Sequence, residues 1–341
     1  MDTERNKCMI IAEAGVNHNG SKELAFRLCD AAKASGADVV KFQTWKTENI
    51  ITRHVSQAEY QRKNMGKEES QFDMLKRLEL SYADYEDVKK HCDNIGISFT
   101  STADDEESLA FIISLGVPFL KVSSGDIGNV SFLRKIGHAG LPVILSSGMS
   151  TLAEVGESVE VLREAGAKEI TVLHCTTNYP CPVEEVNLKA MLTLREAFKV
   201  PVGYSDHTIG IEVPVSAVAL GASVIEKHFT LDKRSEGPDH KASTEPEEFG
   251  RLVKAIRNIE AAMGDGIKRP TVSEREIQKV VSKRIVAGRM IKEGEIITEK
   301  DICVKRNDTG LKAKYWDMVI GTIAGRNYDI DEGVGFRDEK C

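Results

Sequence analysis

The chain has 341 residues, 41% of them apolar and 29% charged, with a formal net charge of −7. This suits one large domain with a small appendage, and it argues against a nucleic-acid-binding surface because no long basic run offsets the negative charge. The seven cysteines (Cys8, Cys29, Cys92, Cys175, Cys181, Cys303 and Cys341) lack any paired spacing, which fits reduced thiols in the cytoplasm better than a disulfide framework.

The polar segment Met1 to Lys7 lacks a signal-peptide core, and no apolar stretch is long enough to span a bilayer. Eight short apolar segments then read as buried strands: Met9 to Ala12, Asp38 to Phe42, Ile97 to Thr100, Phe119 to Val122, Val143 to Leu145, Ile170 to His174, Val202 to Tyr204 and Ser223 to Glu226. Helical patterns separate them, among them Lys22 to Ala34, Leu152 to Ala165 and Leu188 to Phe198. The pairs Gly36-Ala37, Gly166-Ala167 and Gly221-Ala222 recur where a helix should turn into the next strand. Each strand runs into a polar cluster. Eight parallel strands with their chemistry at the C-terminal ends predict an α/β protein, a (β/α)8 TIM barrel, and therefore an enzyme.

The second connection, Thr47 to Asn94, is unusually long and carries Glu59-Tyr60-Gln61 and Glu69-Ser70-Gln71. It reads as a solvated helical excursion or as a lid over the barrel mouth. A closing helix is expected from about Phe249 to Met263. The barrel is thus assigned 1–265, a charged linker or helix 266–283, and a small β-rich domain 284–341, with strand-like pieces at Ile285 to Ala287, Ile296-Ile297 and Ile302-Cys303-Val304.

Three groups of residues carry the candidate chemistry. His207 and His228 end the seventh and eighth strands, with His174 as a third member; they form either a divalent-metal site or a set of hydrogen-bonded barrel histidines. Lys41, Lys121, Ser123, Ser124, Ser146 and Ser147 end strands two, four and five. They suit a phosphate or carboxylate, salt bridges to Glu13, Asp126 or Glu226, or a Schiff-base lysine at Lys121 or Lys227. Glu13 ends the first strand, where a carboxylate must be paired or used as an acid or base. His18 sits in Asn-His-Asn-Gly, which reads equally as a turn. Asp239, in Gly237-Pro238-Asp239-His240, is either a turn residue or a carboxylate for sugar hydroxyls.

Taken in order, IIAEAGVNHNG (10–20), VVKFQT (39–44), KVSSGD (121–126), LSSGM (145–149), LHCTTNYP (173–180), GYSDHT (203–208), IEKHFTLD (225–232) and GPDHKAS (237–243) make a more specific series. The series resembles the sialic acid synthase family, which condenses phosphoenolpyruvate with N-acylated mannosamine-type sugars. RIVAGRMIKEGEIITEKDICVKR (284–306) resembles the antifreeze-like (SAF) domain of those enzymes. The resemblance implies His207 and His228 as ligands of Mn2+ or Mg2+, with no organic cofactor. It implies Lys41, Thr102, Lys121, Ser124, Ser146 and Ser205 for phosphoenolpyruvate, and Glu13 as the essential glutamate. Gln43, Asp126, Tyr179 and Asp239 would face the sugar. Arg306 would reach a partner's site in a domain-swapped homodimer. Ala103-Asp104 stands where the family commonly has Pro-Phe, and Asp126 where glutamate is usual. The implied acceptor is N-acetylmannosamine, giving N-acetylneuraminate, with 2,4-diacetamido-2,4,6-trideoxymannose, giving N,N'-diacetyllegionaminate, as the alternative.

Overall fold

The structure, a computed structural model, describes residues 7–53, 55 and 70–336. The chain divides into two compact units, Met1–Gly264 and Asp265–Cys341.

In the first unit, β1 (Met9–Gly15), β2 (Val39–Thr44), β3 (Ser98–Ala103), β4 (Leu120–Val122), β5 (Val143–Ser146), β6 (Ile170–His174), β7 (Val202–Asp206) and β8 (Val224–His228) form a closed parallel barrel in sequence order. The ring shuts where β1 pairs with β8, Glu13 opposite His228. All eight expected strands are present. Several run two residues further than their apolar cores, so Glu13, Gln43, Thr102, Ser205 and His228 lie within the sheet.

Around the barrel stand α1 (Lys22–Ala34), α2 (Thr47–Ile50), α3 (Gln71–Leu78), α4 (Tyr82–Ile95), α5 (Glu106–Ser114), α6 (Val130–His138), α7 (Leu152–Glu164), α8 (Ala190–Phe198), α9 (Glu212–Ala219) and α10 (Pro246–Ala262). Their starts follow local chemistry. Ser21 accepts from the Leu24 amide to begin α1, and Thr151 and Glu154 form a reciprocal capping box for α7. The recurring Gly-Ala pair works as expected: Gly166, just beyond α7, has φ 96°, a left-handed turn that favours glycine.

Two apolar layers result. Ile11, Val39, Phe119, Ile144, Leu173 and Val224 fill the barrel interior. A larger layer, including Ile10, Val40, Phe42, Leu145, Val172 and Ile225, packs the outer strand face against the helices. Strand side chains alternate between faces, so residues two positions beyond the interior set also face the axis. This parity carries Ile11 to Glu13, Val39 to Lys41 and Gln43, Phe119 to Lys121, Ile144 to Ser146, and Val224 to Glu226 and His228.

Within the long second connection, Met74 and Leu78 of α3 bury against Val16 and Trp45. The Glu59-Tyr60-Gln61 stretch lies outside the described residues, as does Cys341. The other six cysteines are free thiols. Among the described residues no helix is long and apolar enough to cross a membrane.

The second unit contains α11 (Val272–Val281), the antiparallel pair β9 (Lys283–Ala287) and β10 (Ile302–Arg306), and the short α12 (Trp316–Val319). Ile285, Ile291, Ile297, Ile302, Val319, Tyr328 and Val334 give it a core of its own. The strand-like piece expected at Ile296-Ile297 is a single bridge from Ile296 to Ile323.

Candidate active site

Sheet register assembles the centre of the first unit. Glu13 stands beside Lys41, Thr102 beside Lys121, and Ser205 beside Glu226 on neighbouring strands. With their side chains on the axial face, these groups line a cavity of about 210 Å3 at the C-terminal mouth.

The cavity floor is a buried charge network. Lys41 Nζ lies 2.5 Å from Glu13 Oε2 and 3.8 Å from Glu226, and it donates to Thr102 Oγ1 at 2.9 Å. Lys121 Nζ lies 3.7 Å from Glu226 and donates to Ser146 Oγ at 2.7 Å. Ser205 Oγ donates to Glu226 Oε1 at 3.0 Å, and Gln43 Nε2 to Glu13 Oε1 at 3.2 Å. Two carboxylates balance two ammonium groups, which is how buried charges become tolerable.

Burial pushes Glu13 up to about 7 against the pull of Lys41, with Glu226 adding to the rise. Glu226 is also penalised by burial, yet Lys121, Lys41 and the Ser205 hydroxyl together hold it at about 2. Burial and the shared lysines thus drive two neighbouring carboxyls in opposite directions, a pattern that clusters at functional sites. Burial also lowers Lys121, whereas the adjacent carboxylates raise Lys41 despite its burial.

The two histidines close one side of the cavity, ring centroids 5.5 Å apart, with the Tyr179 ring 4.1 Å from that of His207. His207 Nδ1 faces the Thr176 carbonyl oxygen at 2.6 Å, which requires the proton on that nitrogen and leaves the Nε2 lone pair toward the cavity. His228 Nδ1 is buried with no hydrogen-bond partner, 4.0 Å from Asp239 Oδ2. Burial lowers both histidines, His228 well below the usual range, so both rings are neutral at neutral pH. Two neutral nitrogens, one of them an orphan, fit a divalent cation of borderline softness. Among the described residues no cluster of three His, Cys, Asp or Glu surrounds such a point.

His174 is not the third member. On the opposite parity of β6, it turns outward and its Nε2 meets the Val186 carbonyl at 2.7 Å. His18 is buried with Nδ1 accepting from the Gly20 amide, which settles it as a turn residue. Lys227, also on the outer face, is ion-paired with Asp206 and donates to the Thr208 carbonyl at 2.8 Å, so it offers no Schiff-base amine to the cavity. Ser124 lines the cavity and accepts from the Gly148 amide at 2.9 Å. Asp126 stands apart from the lining, held by Ser123 Oγ at 2.9 Å and Asn129 Nδ2 at 3.1 Å. Burial raises Asp239 to about 6. Arg306 ends β10 in the second unit, exposed.

Glu226 and Asp104 were not singled out for the site, yet both line the cavity. Parity would have found them: Glu226 follows Val224 by two positions, and Asp104 follows Thr102. A wider depression of about 770 Å3 adjoins, sharing Met149, Cys175 and Thr177. Charge rather than size makes the smaller cavity the candidate site.

A closed (β/α)8 barrel with a charged cavity and a histidine pair at its C-terminal mouth is the architecture of an enzyme. Residues 28–268 match the NeuB family. The chain is 48% identical to the N,N'-diacetyllegionaminic acid synthase of Campylobacter jejuni, over 96% of this chain and 98% of that protein. It is 37% identical to the human N-acetylneuraminate-9-phosphate synthase, over 88% and 84%. Among solved structures, the N-acetylneuraminic acid (sialic acid) synthetase of Leptospira borgpetersenii, crystallised with citrate, superposes with a TM-score of 0.70 at 32% identity, covering 81% of this chain and 94% of that one. The chain belongs to the NeuB, or sialic acid synthase, family, and it is an enzyme.

Proposed function

We propose that this enzyme condenses phosphoenolpyruvate with 2,4-diacetamido-2,4,6-trideoxymannose to give N,N'-diacetyllegionaminate and phosphate. The motif series alone places N-acetylmannosamine first. The 48% identity to a diacetyllegionaminic acid synthase, against 37% to the human sialic acid 9-phosphate enzyme, reverses that order.

The observation that carries the chemistry is the buried Glu13–Lys41–Glu226–Lys121 network with its rim of hydroxyls. Lys41 and Lys121, with Thr102, Ser124, Ser146 and Ser205, suit the phosphate and carboxylate of phosphoenolpyruvate and hold its C3 toward the aldehyde of the open-chain sugar. C3 attacks the aldehyde carbon, water adds at C2, and phosphate leaves by C–O cleavage. Glu13 moves a proton during ring opening or water addition. His207 and His228 would hold Mn2+ or Mg2+, which supplies Lewis acidity at the sugar carbonyl when bound. Gln43 and Tyr179 line the acceptor side and Asp239 stands behind His228, while Asp126, tied to Ser123 and Asn129 outside the lining, would reach a sugar only after leaving those partners.

The reading extends to the second unit. It resembles an SAF domain, and Arg306 is assigned to the acceptor site of a partner copy in a domain-swapped cytoplasmic homodimer. Phosphate release from phosphoenolpyruvate with Mn2+ tests the acceptor, with each sugar supplied separately and each product weighed. Faster turnover of the diacetamido sugar is expected. Faster turnover of N-acetylmannosamine would restore the sialic acid assignment.

A further inference from the structure

The rim of the cavity at β3 carries a carboxylate that the reaction as derived does not use. Asp104 directly follows β3 and continues the axial parity of Thr100 and Thr102, so it sits one layer above the anion-binding floor. Its backbone is pinned, with the amide donating to the Thr44 carbonyl at 3.1 Å. Its side chain is half-buried and has no hydrogen-bond or ion-pair partner among the described residues.

The neighbouring carboxylates are committed. Asp105 accepts from the Lys46 amide at 2.8 Å and from Ser108 Oγ at 2.7 Å, while Asp126 is tied to Ser123 and Asn129. Lys41, the cation of the layer beneath, is already shared by Glu13 and Glu226. Burial and the Asp126 charge push the Asp104 carboxyl up to about 7, with Asp105 and Glu13 adding to the rise and Lys41 opposing it. A half-buried carboxylate without a protein partner on a cavity wall keeps its acceptor capacity free for whatever enters.

Its position says what enters. In the closed ring β3 lies four strands from β7, so Asp104 faces the His207 side across the mouth. An acceptor held with its carbonyl end at the histidines and lying across the mouth would bring its distal half to Asp104. Outside Asp104 the surface opens into a depression of about 700 Å3 that Glu48, Asp105, Glu106 and Glu107 also line. Glu48 is paired with Lys76 and Glu106 with Lys135, which leaves Asp104, Asp105 and Glu107 as the negative charge that opposes a second anion.

We infer that Asp104 is a specificity-determining residue that accepts a hydrogen bond from a hydroxyl or amide N–H on the distal half of the acceptor and excludes acceptors phosphorylated there. The inference rests on the phosphoenolpyruvate-condensing reading. It agrees with a 6-deoxy acceptor, which has no C6 oxygen to carry phosphate.

The test is steady-state phosphate release with Mn2+, comparing wild type, Asp104→Asn and Asp104→Ala. The acceptors are the diacetamido sugar, N-acetylmannosamine and N-acetylmannosamine 6-phosphate. Wild type should favour N-acetylmannosamine over its 6-phosphate by about tenfold or more in kcat/KM, the scale of one misplaced charge–charge contact. Either variant should raise the acceptor KM by about tenfold while the phosphoenolpyruvate KM stays within about twofold, and should narrow the preference against the phosphorylated sugar. Thermal midpoints matching wild type are expected, since no contact is lost.

Equal use of both N-acetylmannosamines by wild type would overturn the inference. So would an unchanged acceptor KM in the variants, or a parallel rise in both KM values, which would mark a structural role. Failure of the parent reading looks different: no phosphate release with any acceptor in wild type, which would take this inference with it.

Discussion

Glu13 is where the site's electrostatics become measurable. Its carboxyl is held near 7 while Glu226, sharing Lys41, is held near 2. The anion of Glu13 is the form suited to Lys41 and to the Gln43 amide, so kcat/KM should fall as pH drops through about 7. Glu13→Gln should abolish that limb while leaving phosphoenolpyruvate bound; a wild-type profile without a bend there would remove Glu13 from proton transfer. Stability runs the other way. The folded value lies above the ordinary 4.5, so this carboxyl's contribution is full below 4.5 and is lost as pH rises through about 7. Most of these residues could be picked out from the sequence because they are polar side chains abutting apolar runs. Which of them act together could not, because adjacency ignores the two-residue alternation. Proximity alone groups His174 with the histidine pair, and leaves Glu226 an ion-pair partner and Asp104 a departure from the family pattern.

The strand is the next unit of explanation. Along β8, Glu226 and His228 face the cavity while Lys227 between them faces outward, where it pairs with Asp206 of β7 at almost complete burial. Asp206 also accepts from the Thr208 amide at 3.0 Å and its hydroxyl at 2.8 Å, so the pair closes the β7–β8 seam beneath the histidines. Removing one partner leaves an uncompensated buried charge. Lys227→Met should therefore cost about 3–5 kcal/mol of stability in urea titrations, and pairing it with Asp206→Leu should recover much of the loss. A change below about 1 kcal/mol would mean the pair is not what holds that seam. Strand identity was legible throughout, because continuous apolar runs bounded by glycine leave little else for those segments to be. Strand ends were not, since Glu13, Gln43 and His228 look like loop residues until neighbouring strands supply their backbone partners.

At the scale of the chain, two units carry separate cores, one inside and around the barrel and one built on Ile285, Ile302 and Val334. Arg306 belongs to the second. Arg306→Ala should leave the barrel's thermal transition unchanged but raise the acceptor KM by about tenfold or more, the cost of losing a charge-assisted contact. Kinetics equal to wild type would detach Arg306 from turnover. Mixing Arg306→Ala with Glu13→Gln protein should restore partial activity if the residue is given across a dimer. The alternation of strand faces also bears on how such a chain can vary over descent. One residue gained or lost within β8 would exchange Lys227 for Glu226 and His228 at the axis, turning the reactive set into the helix layer in a single event. The strands are therefore fixed in length by chemistry as much as by folding. Variation in length is left to the connections above the barrel mouth.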